Sequence, residues 1–412
     1  MSDVAEHPTE AFVWVWLPGA AEPVVAGRLT DRGPVVTFTY GRSYLERPNA
    51  VALYLPELPL RRGEITPVSG EIAGCMADAG PDAWGRRVIE YQRIGETADL
   101  GTLGYLLASG SNRAGALDFQ QSATEYIPQG DEWIPLGELA EVADRIESGA
   151  PLSPALERAL LHGSSMGGAR PKAVLADETQ QKIAKFTSVS DSYPVVKAEF
   201  VAMELARRAG LNVAGIGLDT VLGRDVLLVN RFDRTGGGGR KMVVSALTIL
   251  ELHDADGLAG RYATYPELAF HIRSRFTDPD TTLRELFARI TFNILVGNTD
   301  DHARNHAAFW DGTQLTLTPA YDICPQARVG EEAAQAMAFG DDGERLSQVA
   351  RCVAHAGIYH LTANQARDIV DHQIAVIEDE WSSVCDQAEL TKADRNRLWT
   401  RQFLNPFALY DY

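Results

Sequence analysis

The stretch that decides the reading is residues 293–310, NILVGNTDDHARNHAAFW, apolar on both flanks and interrupted at its centre by Asp300, Asp301, His302 and Asn305. Burying polar and charged groups costs free energy unless they are paired, so such a cluster between two apolar runs needs a reason. Asp and Asn in a loop of this kind also serve as helix caps and turn formers, and the flanking sequence has to discriminate. His302 and His306 stand four apart, a spacing that can hold a metal on a helix, but no His-Glu-x-x-His glutamate accompanies them.

Downstream, LTLTPAYDICP (315–325) carries a strand-like run into Asp322, and a hairpin through Asp311–Gly312 fits the residues between. Upstream, GSSMGGARPKAVLADETQQKIAKF (163–186) reads as a small-residue loop, a strand, a polar turn and a second strand ending in Lys185. Glycines let a backbone approach an anion closely, and their N–H groups can cradle it. Lys185, flanked by Ile183, Ala184 and Phe186, is a charge pinned in an apolar strand and is expected to have an anionic partner; Lys172 competes with it for the role of phosphate lysine. AEFVAMELARRAG (198–210) has helical periodicity and a glycine stop, with Glu199 near its start. Glu199 is placed to pair with Lys185, although a first-turn glutamate also stabilises any helix through its dipole.

The order of parts is therefore a glycine loop, a strand lysine, a helix glutamate, Asp-x4-Asn and a second Asp. Protein kinases use this order: the first Asp accepts the substrate hydroxyl proton, and the Asn five positions later and the second Asp hold Mg²⁺. Carboxylate and amide oxygens suit that hard cation. The details depart from the common pattern. His-Arg-Asp is absent, Tyr321-Asp322-Ile323 replaces Asp-Phe-Gly, and no Walker A sequence exists.

The 412 residues are enough for two or three domains, and the shares of 45% hydrophobic and 23% charged residues are those of a folding globular chain. A net charge of −18, without a Lys/Arg-rich run, disfavours direct DNA binding. No stretch approaches the ~20 apolar residues of a membrane span, and the acidic N-terminus lacks secretory-signal character; a cytoplasmic protein is expected. Cys75, Cys324, Cys352 and Cys385 are too scattered for a zinc ribbon or a disulfide framework.

Near the N-terminus FVWVWLP, PVVAGRL, VVTFTYG and AVALYLP alternate with turn signals at Gly19, Gly27, Gly33–Pro34 and Gly41, predicting a small antiparallel sheet. From Asp82 the pattern turns helical (PDAWGRRVIEYQRI), and GTLGYLLASGSNRAGALDF adds a helix and a glycine-rich turn. The GGGG run at 236–239 lacks a following helix signal and reads as a hairpin tip without chemistry.

Through GSSMGGARPKA, IAKF, VNRFDR, NTDDHARN and TPAYDI the chain resembles the HipA-like serine/threonine kinase toxins, and PDAWGRR and SNRAGALDF extend the resemblance over nearly the whole length. The resemblance implies an α/β (α+β) fold: a divergent two-lobed kinase-like region over 151–385, a small N-terminal domain over 1–120, a connecting segment at 121–150, and a tail at 386–412 docked on a mostly helical C-terminal lobe. It implies Asp300 as catalytic base and Asn305 and Asp322 as Mg²⁺ ligands. For ATP it implies a phosphate loop of Gly167, Gly168, Ala169, Arg170, Pro171 and Lys172, with Lys185 on the phosphates. His302, Ala303, Arg304, Asn305, Tyr321, Asp322, Asn230, Arg231 and Phe232 would line the nucleotide pocket, the last three as a hinge. It further implies autophosphorylation at Ser165, with Ser164 beside it, a protein target such as an aminoacyl-tRNA synthetase, and a helix-turn-helix antitoxin through which DNA is reached indirectly. A catalytically silent co-repressor and a small-molecule kinase are the alternatives.

Overall fold

Three of the four N-terminal apolar runs pair as strands. In the computed structural model, which describes residues 8–93, 100–130, 135–148, 172–176, 181–188, 191–253, 262–328 and 330–412, β1 (Glu10–Val15), β2 (Val24–Asp31) and β3 (Val36–Tyr40) form an antiparallel meander. The fourth run, AVALYLP, forms no strand. Leu53 and Tyr54 are buried, Tyr54 packs edge-on against Trp310 at 5.6 Å, and the Ala52 carbonyl accepts the Trp310 indole N–H at 2.8 Å. A continuous apolar run carries no period to choose between a strand and a docking segment, and here it docks. The outer places are taken by β4 (Glu64–Ile65) and β5 (Leu117–Gln120), giving the order β4-β3-β2-β1-β5.

Gly27 also departs from expectation, lying inside β2 rather than at a turn. A Cβ there would fall 2.3 Å from the Thr39 carbonyl oxygen and 2.7 Å from the Phe38 ring, and its partner in register is Val13, where β1 shifts register. Close backbone approach, not reversal of the chain, demands this glycine.

The second sheet is built from β6 (Lys172–Ala176), β7 (Gln181–Phe186), β8 (Ile216–Val221) and β9 (Arg224–Asn230), antiparallel in the order β6-β7-β9-β8. On it pack two helices from earlier in the chain, α1 (Ala83–Gln92) and α3 (Leu136–Ser148), separated in sequence by α2 (Gly101–Ala108). Trp84 and Val88 of α1 and Leu139 and Val142 of α3 share one core with Ala173, Phe186 and Val226. The segment read as a connector thus supplies a layer to this lobe. Helix α4 (Val195–Arg208) is buried along most of its length, and Gly210 ends it at φ +86°.

A three-stranded sheet of β10 (Met242–Ser245), β11 (Ala307–Trp310) and β12 (Leu315–Leu317) leads into the helical lobe. Its β11–β12 hairpin turns through Asp311–Gly312, the Asp311 carboxylate accepting the N–H groups of Thr313 and Gln314 at 2.7 and 2.8 Å. The lobe contains α5 (Tyr265–Arg275), α6 (Pro279–Leu295) and α7 (Ala363–Gln387); Asp278 caps α6 ahead of Pro279, and Thr362 with Gln365 forms a capping box on α7. The tail packs on it, with Trp399 4.9 Å and Phe403 4.8 Å from Trp381 and the Leu404 N–H on the Leu295 carbonyl. No helix among the described residues is long and apolar enough to cross a membrane. All four cysteines are buried free thiols.

The N-terminal domain is joined to the rest through two of the motifs quoted above. Arg231 of VNRFDR donates to the Asn112 carbonyl and side chain at 3.0 and 2.6 Å and to the Arg113 carbonyl at 2.5 Å, all in SNRAGALDF. Asp233 holds Arg231 at 2.6 Å and accepts the Gly115 N–H at 2.8 Å, and Arg234 donates to the carbonyls of Gly115 and Arg113. Besides the smaller core under α1 and α3, one larger apolar core runs through both parts.

Candidate active site

The site forms where α4, β7, the loop after α6 and the residues following β12 converge. Lys185 enters from β7, and its ammonium lies 2.6 Å from Glu199 of α4 and in contact with Asp322 Oδ1. Burial works against the charge on Lys185, but Asp322 and Glu199 together overcome it and raise its pKa above the ordinary lysine value. Asp322 is likewise opposed by burial, yet Lys185 draws it down to about 2. It is an anion at neutral pH.

Asp322 sits at φ +61°, a left-handed conformation uncommon for a non-glycine residue. Asn298 steadies it: the Asn298 amide donates to the Asp322 carbonyl at 3.3 Å and to Asn293 Oδ1 at 3.0 Å. Asn298 Oδ1 in turn accepts the Asp300 N–H at 3.3 Å. One amide therefore ties the two acidic segments together.

Asp300 and Asp301 are neighbours with opposite surroundings. Asp301 is buried and accepts from the Tyr265 hydroxyl, from Asn293 Nδ2 at 2.7 Å and from His306 Nε2 at 3.0 Å. Burial would raise its pKa; His306 and these donors hold it below the ordinary carboxylate value. It anchors the loop. The Asp300 carboxylate accepts no hydrogen bond from the described residues, and burial raises its pKa, with His302 opposing and Asp322 and Asp301 adding to the rise. A carboxylate held in place through its backbone, with both oxygens uncommitted, is equipped to take a proton from a hydroxyl.

Asn305 closes a 3-10 turn, Ala303–Asn305, and donates its amide to the Asp300 carbonyl at 3.2 Å, while its Oδ1 accepts no bond from the described residues. Asp322 Oδ2 accepts no bond from the described residues, because Lys185 takes Oδ1. These two oxygens are the donor types Mg²⁺ prefers, with waters and phosphate oxygens completing an octahedron. In the same loop His302 Nδ1 is buried without a partner among the described residues, a polar atom left for a ligand to satisfy. The donor set fits the cation.

Around this centre Phe232 lies 5.6 Å from Tyr321 and 5.8 Å from Phe309, and the Tyr321 hydroxyl donates to the Arg304 carbonyl at 2.7 Å. Ala303 is buried and Arg304 exposed. The hinge residues are engaged in ways the sequence did not disclose. The N–H groups of Asn230 and Arg231 donate to the Gly215 and Gln181 carbonyls at 2.7 and 2.9 Å. The Arg231 side chain turns toward the N-terminal domain, its guanidinium satisfied by Asp233 and by three carbonyl oxygens of Asn112 and Arg113. Lys172 is buried beside Asp82, at 3.7 Å. Ser164, Ser165 and Gly167 to Pro171 lie outside the described residues. Sequence reasoning passed over Asn298, Asp301 and Tyr265 as positioning residues. Asp301 and Asn298 stood inside the decisive stretch, but nothing local marked Tyr265.

Residues 164–381 match the HipA-like C-terminal domain and residues 15–120 the HipA N-terminal domain. The chain is 26% identical over 341 residues to the Y4mE protein of Sinorhizobium fredii, covering 75% of this chain and 76% of that one. It is 25% identical over 162 residues, 35% of this chain and 37% of the other, to the serine/threonine-protein kinase toxin HipA of Shewanella oneidensis. Among solved structures it overlays on a chain of the Shewanella oneidensis HipA, HipB and operator DNA complex with TM-score 0.66 at 19% identity, covering 96% of this chain and 99% of that one. The fold is thus the kinase-like α/β arrangement of that family.

Proposed function

Because the chain belongs to the HipA-like family, we propose that it is a protein kinase moving the γ-phosphate of Mg-ATP onto a Ser or Thr hydroxyl of another protein. One observation carries this reading: Lys185 bridges Glu199 and Asp322, while Asp300, tied to Asp322 through Asn298, has a carboxylate that accepts no hydrogen bond from the described residues. Phosphoryl transfer demands positioning and charge neutralisation more than covalent chemistry, and these side chains are of the kind that supplies both.

In this reading Asp300 orients the acceptor hydroxyl and takes its proton as the new oxygen–phosphorus bond forms and the bond from the γ-phosphorus to the β–γ bridging oxygen breaks, releasing ADP. Lys185, fixed by Glu199, meets the phosphates, together with Lys172 and the segment Gly167, Gly168, Ala169, Arg170, Pro171. Asn305 and Asp322 would hold Mg²⁺, which supplies charge neutralisation on the phosphates when bound. Phe232 and Tyr321 offer aromatic surface to a base, His302 a polar atom to the ligand, and the Asn230 to Phe232 stretch the backbone edge beside it. Ser165, or Ser164, is the proposed autophosphorylation site; about −1.5 to −2 of added charge there would repel bound phosphates. A HipB-like helix-turn-helix antitoxin is the proposed partner, because the overlaid relative is part of a complex with HipB and operator DNA. DNA contact would then be indirect, in keeping with the net charge of −18. A cytoplasmic protein such as an aminoacyl-tRNA synthetase is the proposed target.

The test is mass spectrometry of the purified protein after incubation with Mg-ATP, beside the Asp300→Asn variant. Phosphate on Ser164 or Ser165 of the parent alone supports the reading. Absence of both phosphate and Mg-ATP binding would replace it with a non-catalytic antitoxin-binding role, and label recovered on a metabolite would point to a small-molecule kinase.

A further inference from the structure

The antiparallel register of β6 and β7 sets Lys172 directly opposite Lys185. Directly paired residues project from the same face of a sheet, and like charges so placed destabilise it unless each is compensated. Lys185 has Glu199 and Asp322. Lys172, with its side chain 5% exposed, has Asp82, 3.7 Å away and itself 18% exposed.

Asp82 comes from the N-terminal domain, at the head of the helix spelled PDAWGRR. Its two oxygens are divided between two tasks. Oδ1 accepts the Gly85 N–H at 2.9 Å and caps α1, whereas Oδ2 is buried and accepts no hydrogen bond from the described residues. Oδ2 is the oxygen turned to Lys172. A buried carboxylate oxygen left without a hydrogen bond is costly unless a cation compensates it. The helix that carries Asp82 is locked to the sheet carrying both lysines, since Trp84 and Val88 pack with Ala173, Ala184 and Phe186. The carboxylate is therefore fixed relative to both strands.

We propose that Asp82 is a positioning residue for nucleotide binding, supplied by the N-terminal domain, that holds the Lys172 ammonium beside Lys185 so that the two cations meet the ATP phosphates as a preset pair. The inference rests on the Mg-ATP reading of this site. It makes the N-terminal domain part of the nucleotide site rather than an appendage to it.

The test is calorimetric titration with Mg-bound β,γ-imido ATP on the full chain, its D82N, D82S and K172Q variants, and the D82N/K172Q double variant. Asn and Ser both cap helices as Asp does, so the cap survives while the charge goes, and thermal unfolding midpoints verify folding. The expected result is a loss of affinity of about tenfold in D82N and D82S, within the range measured for contacting charged groups, and a double variant no weaker than K172Q alone. The sign is diagnostic: if Asp82 acted only through its charge, removing an anion would tighten phosphate binding. Affinity unchanged or improved in folded D82N and D82S, or effects that add in the double variant, would overturn the inference alone. A parent that does not bind the nucleotide would overturn the Mg-ATP reading as well.

Discussion

Glu199 is almost wholly buried, and its carboxylate lies 2.6 Å from the Lys185 ammonium. The pair joins the helix α4 to the strand β7, and the same ammonium also contacts Asp322 from the far side of the site. Three segments distant in sequence thereby share one cation. Replacing Lys185 by Met takes the ammonium away from two carboxylates, one of them buried, and breaking a buried ion pair typically costs about 3–5 kcal/mol. Urea unfolding should show a loss of that order, accompanied by loss of nucleotide binding. A K185M protein as stable as the parent would argue that the pair is not formed in solution.

Asp300 gives the opposite combination. Because its carboxylate accepts no hydrogen bond from the described residues, Asp300→Asn should leave the unfolding midpoint nearly unchanged. Loss of a general base costs roughly 10²–10⁴ in rate, so phosphate transfer to a protein acceptor, followed with radiolabelled ATP, should fall by that factor while nucleotide affinity is retained. Transfer at the parental rate would remove Asp300 from the reaction.

Acid should loosen the joint between the N-terminal domain and the kinase-like region. Asp233 is opposed by burial, but Arg231 and Arg234 hold its pKa well below the ordinary carboxylate value; Asp118, against Arg113, is shifted in the same direction. A depressed folded pKa contributes stability that is complete above the unfolded value, about 4, and is lost as pH falls toward the folded one. The urea midpoint should therefore decline from about pH 5 downward. In D233N the decline should be shallower and the midpoint at pH 7 lower, which denaturation curves at several pH values would reveal.

Arg231 separates a docking role from a nucleotide role. Its donors are spent on Asp233, Asn112 and Arg113, so Arg231→Met should cost about 3 kcal/mol or more through the carbonyls and carboxylate it abandons. The KM for ATP of the folded variant should stay within about twofold of the parent's. A large rise in KM without loss of stability would place the side chain in the pocket after all.

How much of this was legible beforehand depends on the range of the interaction concerned. The helices of PDAWGRR and AEFVAMELARRAG, the Asp311–Gly312 hairpin and the burial of Lys185 in a strand follow from periodicity, caps and turn residues, all set within a few neighbours. The order of Lys185, Glu199, Asp300, Asn305 and Asp322 pointed to one centre, and four of these five are linked in space by the contacts of Lys185 and Asn298. The role of AVALYLP was not legible, because an unbroken apolar run fits a strand and a docking segment equally well.

The amino-acid sequence by itself determined which local elements form and which charged residues are set in apolar surroundings that require partners. Only the tertiary structure decided who those partners are. The Arg231 side chain finds Asn112 and Arg113, Asp301 rather than Asp300 becomes the buried anchor, and Lys172 meets a carboxylate from the N-terminal domain. The physical reason is that a buried charge demands compensation without specifying its source. The nearest counter-charge is fixed by strand register and helix packing, which bring together residues far apart along the chain.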